Sequence, residues 1–168
     1  LASLSLIGGL LLLATTRPRV EGDGDLRLEA LRQIVAGIPF PDNKYSLLQP
    51  YLSLPLIFAD RITGLDYSFS VAYFNLALSL VCLPAIGYLI ARRSNTTLGL
   101  TSILVVLTAS MLPHHLQHYY GEVLSAELLV LAILVPRRWW LLQLVLISLA
   151  VVNTPALLPA IGLASLAA

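Results

Sequence analysis

An all-α fold, a bundle of membrane-crossing helices, is what this sequence predicts, and three observations carry it. Of the 168 residues 58% are hydrophobic and 11% are charged, where an ordinary soluble domain carries about 25% charge. The mean hydropathy is +0.85. The apolar residues gather into runs of helix length, and two of these runs end in arginine pairs, Arg92-Arg93 and Arg137-Arg138. A net charge of +1 leaves no basic face for nucleic acid.

The first run, Leu1–Thr16, reads as the end of a first span. It lacks the small-residue cleavage pattern of a signal peptide, and further spans follow it. The sequence opens and closes inside apolar runs, which points to a piece of a longer protein. A polar stretch, Arg17–Tyr45, comes next. Within it Leu28, Leu31, Ile34 and Val35 recur at helical spacing among Arg27, Glu29, Arg32 and Gln33. Residues 26–36 are therefore expected as an amphipathic helix lying in the membrane interface. Gly37 is its stop, with Pro39 and Pro41 beyond.

Residues 46–59 are apolar but short and hold Pro50 and Pro55, so they read as a re-entrant or interfacial segment closed by Asp60 and Arg61. The remaining spans are expected at 67–91, 96–112, 114–135 and 139–152, the fourth opening on a polar tip over 113–121. Asn153-Thr154-Pro155 interrupts the last of them, and Leu157–Ala168 continues it or begins the next element. Counting spans puts both arginine pairs on one side, and cationic junctions mark the cytoplasm. Arg17 and Arg19 run against that rule. The acidic stretch and the 113–121 tip then share the extracytoplasmic side of a multi-pass plasma or cytoplasmic membrane protein. Trp139 and Trp140 fit an interfacial aromatic belt. The sequon Asn95-Thr96-Thr97 falls on the cytoplasmic side, where no glycan is expected. Cys82, the single cysteine, sits in an apolar run as a packing residue.

Three groups of residues can carry chemistry. Gly22-Asp23-Gly24-Asp25 sets two carboxylates at the head of the amphipathic helix. There they serve as a cap and dipole partner, or as a general base held at the membrane surface. The tip holds His114, His118 and Glu122 at intervals of four. On one continuous helix they would share a face, as wet interfacial groups or as ligands to a divalent metal such as zinc. Glu122 and Glu127 head a long apolar run, where an ionised group needs a partner. Lys44-Tyr45-Ser46 with Gln49 supplies a cation and an aromatic ring, either snorkelling or holding phosphate.

In their order these segments resemble the N-terminal half of the GT-C superfamily of membrane glycosyltransferases. Gly22-Asp23-Gly24-Asp25-Leu26-Arg27-Leu28-Glu29-Ala30-Leu31 resembles that family's first extracytoplasmic loop, where an Asp leads into a helix lying along the membrane. Lys44-Tyr45-Ser46-Leu47-Leu48-Gln49-Pro50 resembles the stretch before the next helices. Tyr119-Tyr120-Gly121-Glu122-Val123-Leu124 resembles an aromatic-x-Glu-Pro-Leu element, with Val123 in place of the usual Pro. Asn153-Thr154-Pro155-Ala156-Leu157-Leu158-Pro159-Ala160 resembles a Thr-(Lys/Arg)-Pro-x-x-Leu-Leu-Pro pattern, with Asn153 where a cation is commoner. The resemblance implies sugar transfer from a polyprenyl-phosphate-linked donor to a glycan, lipid or protein acceptor. Asp23, then Asp25, would be the base. Lys44, Tyr45, Gln49, His118, Tyr119 and Glu122 would bind substrate. The resemblance implies no uniform need for a metal, and leaves room for a divalent one. The alternatives from other classes are a transporter or flippase with Glu122 and Glu127 along its pathway, and a non-catalytic membrane subunit.

Overall fold

The computed structural model describes residues 18–64 and 67–159. The expected first span, 1–16, and the end of the chain from residue 160 lie outside them. The described residues are all-helical in their regular structure, as expected. The helices are α1 (Asp23–Val35), α2 (Leu48–Thr63), α3 (Tyr67–Ala72), α4 (Phe74–Arg93), α5 (Thr96–Thr108), α6 (Leu112–His115), α7 (Gly121–Leu134) and α8 (Trp140–Asn153). Short 3-10 turns, Arg137–Trp139 and Pro155–Leu157, flank α8.

Sequence explains most of these boundaries. Gly22, at φ 58°, turns the chain into α1, and Asp23 and Asp25 occupy the first turn, where carboxylates suit the helix dipole. The segment expected to be re-entrant is one helix, α2, that runs on to Thr63. Pro50 falls in its first turn, where a backbone N–H has no intrahelical partner to lose. Pro55 lies inside it. The Asn95 side chain accepts from Leu98 N at 2.8 Å and so caps α5, which gives the sequon asparagine a structural task.

Helices α4, α5, α7 and α8 pack as one group. Phe74 and Asn75, at the head of α4, lie beside Tyr119 and Tyr120 just ahead of α7. Ser79 meets Glu127 further along, and Arg93 at the foot of α4 donates to Val135 O at the end of α7 at 3.3 Å. Helices α4 and α7 therefore run parallel. Helix α8 returns antiparallel: Gln143 donates to Val135 O at 2.8 Å, and Asn153 donates to Gly121 O at 2.7 Å. Helix α5 returns along α4 through a glycine pair. A Cβ on Gly99 would lie 2.5 Å from Gly87 O, so the two backbones touch.

The bundle is thus polarised. One end carries Arg92, Arg93, Arg137 and Arg138. The other carries α1, the residue 43–49 loop and the turn before α7. Apolar side chains from four helices and that turn close over this second end: Leu28 and Leu31 of α1, Ile57 of α2, Val71 of α3, Phe74 of α4, and Tyr119, with Leu78 of α4 packed alongside. Burying this set is the main force that docks α1 on the bundle. The helical stretch Ser70–Arg93, 24 residues at hydropathy 2.0, is long and apolar enough to cross a membrane. Leu48–Phe58 and Thr96–Thr108 are shorter apolar helices.

Candidate functional site

The site is built where the first polar segment meets the turn before α7. Arg19 N donates to Gln117 O at 2.7 Å, a bridge that lays the two segments side by side. Gly24 is buried against the turn: a Cβ there would lie 3.4 Å from both the Cβ and the carbonyl oxygen of Tyr119. A side chain at Gly22 would come within 3.8 Å of the Tyr120 hydroxyl. Both glycines of the Gly-Asp-Gly-Asp motif therefore face the tyrosine pair, and this brings its carboxylates beside the head of α7.

A buried polar layer fixes the turn from below. Asn75 donates to His118 O at 2.7 Å and to Tyr120 O at 2.8 Å. Gln49 donates to Asn75 Oδ1 at 3.2 Å and to Tyr120 O at 3.3 Å. Asn153 donates to Gly121 O and to Ser125 Oγ, both at 2.7 Å, and Ser125 shares a 2.7 Å hydrogen bond with Thr154. The Tyr119 hydroxyl is 2.7 Å from Ser53 Oγ, and its ring meets Phe74 edge-on at 5.9 Å. Helices α2, α4 and α8 each contribute an amide to this layer. Buried carbonyls that would otherwise be unpaired are thereby satisfied.

The expected site residues divide into two groups. Asp23 and Asp25 are exposed in the first turn of α1, and Glu122 is exposed in the first turn of α7. Lys44 is exposed, with Nζ 5.2 Å from the centre of the Tyr45 ring. These four groups are placed to meet a ligand. Gln49 and Tyr119 are instead fully buried and hydrogen-bonded inside the protein. They shape the site from beneath: Gln49 Nε2 is taken up by Asn75 and the turn and the Tyr119 hydroxyl by Ser53, while Gln49 Oε1 is buried without a partner among the described residues.

The three-residue face expected for His114, His118 and Glu122 is not formed. Helix α6 stops at His115, and a turn through residues 116–120 separates it from α7. Leu116 and Tyr119 are buried in the core, and Asn75 Nδ2 binds the carbonyls of His118 and Tyr120 within this turn. The imidazoles and Tyr120 instead form an aromatic cluster. His118 stacks on Tyr120 at 4.8 Å, and His114 lies 4.9 Å from His118. Among the described residues no group of three His, Cys, Asp or Glu side chains is arranged to hold a metal ion. His118 is buried, and that burial, followed by the His114 imidazole, holds it below its ordinary value; Glu21 acts the other way.

Arg27 is the residue whose face the sequence pattern misassigns. Its place among the polar residues of α1 predicts exposure, yet it is 3% exposed. Its Nη1 donates to Ser46 O at 3.3 Å, and its Cζ lies 5.0 Å from the centre of the Tyr45 ring. Burial lowers its pKa, and Glu122, then Tyr119, Asp23 and Tyr45, act to raise it. The signal available in sequence was its i,i+4 relation to the buried Leu31.

No family model, curated protein or solved structure matches this chain. The site's own geometry is what bears on its chemistry: exposed carboxylates on two segments, a buried guanidinium between them, and a rim of Lys44, Tyr45, Tyr120 and the histidines.

Proposed function

We propose that this chain is the catalytic-loop portion of a multi-span membrane glycosyltransferase that takes a sugar from a polyprenyl-phosphate carrier. The observation that carries this reading is the docking of the Asp23 motif on the turn that leads into Glu122. Two acidic segments distant in sequence come together at one end of an apolar bundle, opposite the arginine pairs. The helical stretch Ser70–Arg93, at 24 residues, reaches about 36 Å, more than a hydrocarbon core of about 30 Å. In a bilayer the loop end would therefore lie at the lipid–water boundary. A polyprenyl tail would hold its phosphate and sugar at that depth.

In this reading Asp23, or Asp25 one step along the same turn, removes the proton from an acceptor hydroxyl as it attacks the anomeric carbon. The carbon–oxygen bond to the carrier phosphate breaks, and the phosphate leaves with the electron pair. Lys44 is the nearby cation for that phosphate. Tyr120 and His118 offer ring faces to a sugar. The arginine end would face the cytoplasm.

The test is transfer from labelled polyprenyl-phosphate hexoses and pentoses in membranes carrying the full chain. Asp23→Asn is expected to lose about 100-fold or more, the range of a general base. Full activity in both Asp23→Asn and Asp25→Asn ends the base assignment.

One observation favours a second reading, a transporter. Glu127 is buried in α7, hydrogen-bonded by Ser79 and Cys82 of α4, with its second carboxylate oxygen unpartnered. A carboxylate within an apolar bundle is a default candidate for a translocation path. Glu127→Gln would abolish transport under that reading and leave sugar transfer intact under the first.

A further inference from the structure

A buried guanidinium normally sits against a carboxylate. Arg27 makes no ion pair among the described residues; its partners are the Ser46 carbonyl and the Tyr45 ring, and its Nε has none. Its closest fit is to Gly121, the first residue of α7. A Cβ on Gly121 would lie 2.6 Å from Arg27 Cζ, a separation real side chains do not adopt. The guanidinium thus occupies the space that any other residue at 121 would fill. Through its own backbone Arg27 belongs to α1, one turn beyond Asp23. Through its side chain it touches the residue 45–46 loop and the head of α7, one residue before Glu122.

This arrangement does not suit a ligand anchor. The side chain is closed off from solvent, and the two nearby carboxylates would repel an anion. It suits a spacer: a buried, planar group between two segments that both carry acids.

We propose that Arg27 is a positioning residue whose guanidinium, seated on Gly121, sets the separation between Asp23 on α1 and Glu122 on α7. The inference deepens the transfer reading and rests on it for its catalytic consequence, but the separation itself can be measured without any activity. Shortening the side chain leaves a void beneath α1 and lets Asp23 drift. Enlarging Gly121 displaces the guanidinium, the flexible end of the Arg27 side chain, from this seat. The two changes act on one contact, so their effects are coupled rather than additive.

The experiment attaches spin labels through Asp23→Cys and Glu122→Cys in the full chain, with Cys82 left buried in its native place, and measures the distance distribution. One narrow distance is expected with Arg27 present, and a broadened or shifted one in Arg27→Ala. Gly121→Ala, which evicts the guanidinium from its seat, should broaden or shift the distance as Arg27→Ala does and add nothing to it in the Arg27→Ala background. In the unlabelled enzyme Arg27→Ala should lower kcat about a hundredfold, the cost of misplacing a reacting group by about 1 Å, with KM for the carrier unchanged. A role confined to stability would reduce the amount of folded protein and leave both constants alone. An unaltered distance in both Arg27→Ala and Gly121→Ala overturns the proposal. If the parent shows no sugar transfer, the transfer reading fails while the distance measurement still decides the spacer.

Discussion

Gly24 and Tyr119 are in direct contact although they are far apart in the chain: a Cβ on the glycine would stand 3.4 Å from that of the tyrosine. This contact joins the acidic motif to the turn before α7, and every feature of the candidate site depends on it. A Cβ at position 24 would meet the tyrosine at ordinary van der Waals distance.

The contact can be trapped. Disulfides form at Cβ separations of about 3.5–4.5 Å, so Gly24→Cys with Tyr119→Cys should oxidise within the folded protein. Thiol labelling with a maleimide polymer under denaturing conditions reports the bond as protected cysteines that are freed by reductant. Two thiols that stay reactive after mild oxidation would mean that the segments do not meet.

Asn75 holds the turn by two donated hydrogen bonds and also accepts from Gln49. Asn75→Ala orphans the His118 carbonyl, at about 1–3 kcal/mol, while Tyr120 O keeps its donor from Gln49. Asn75→Asp removes the same N–H groups and adds a buried charge, so it should be the worse variant. Thermal unfolding in detergent measures both. Equal stability of Asn75→Ala and the parent would show that the amide layer carries no weight.

His118 lies in the turn, outside the helices that would cross the bilayer, and its folded pKa is below the ordinary 6.5. The unfolded chain therefore takes up the proton first as the pH falls. Its contribution to stability is complete above about 6.5 and declines as the pH drops through the lower folded value. Melting temperatures at about pH 7.5 and about pH 5.5 bracket that window. His118→Phe keeps a ring against Tyr120 and should flatten the difference between them. The same acid sensitivity in that variant would assign the effect to another group.

The periodicity of apolar residues marked much of this fold. The helix expected at 26–36 is present as α1 over Asp23–Val35, with Leu28 and Leu31 buried as their spacing indicated. The break between α4 and α5 follows Arg92-Arg93 and the capping Asn95. What pattern could not give was the inward turn of polar side chains. Arg27, Gln49 and Asn75 are hydrophilic by composition, yet each is buried because loop carbonyls or an aromatic ring await it, and those partners come from elsewhere in the chain. The interruption between His115 and Gly121 was equally hidden. Within it Asn75 of α4 binds the carbonyls of His118 and Tyr120, a contact that exists only in the assembled bundle. Asn153, read as a departure from a cationic position, is absorbed by its hydrogen bonds to Gly121 O and Ser125.

The glycine pair of α4 and α5 has a consequence for how the sequence can drift. Where backbone meets backbone at Gly87 and Gly99, the hairpin's thickness is fixed by the main chain, and the outward-facing side chains are released from the duty of holding it shut. Among related chains the leucines and valines of α5 should interchange freely, while position 99 admits nothing bulkier.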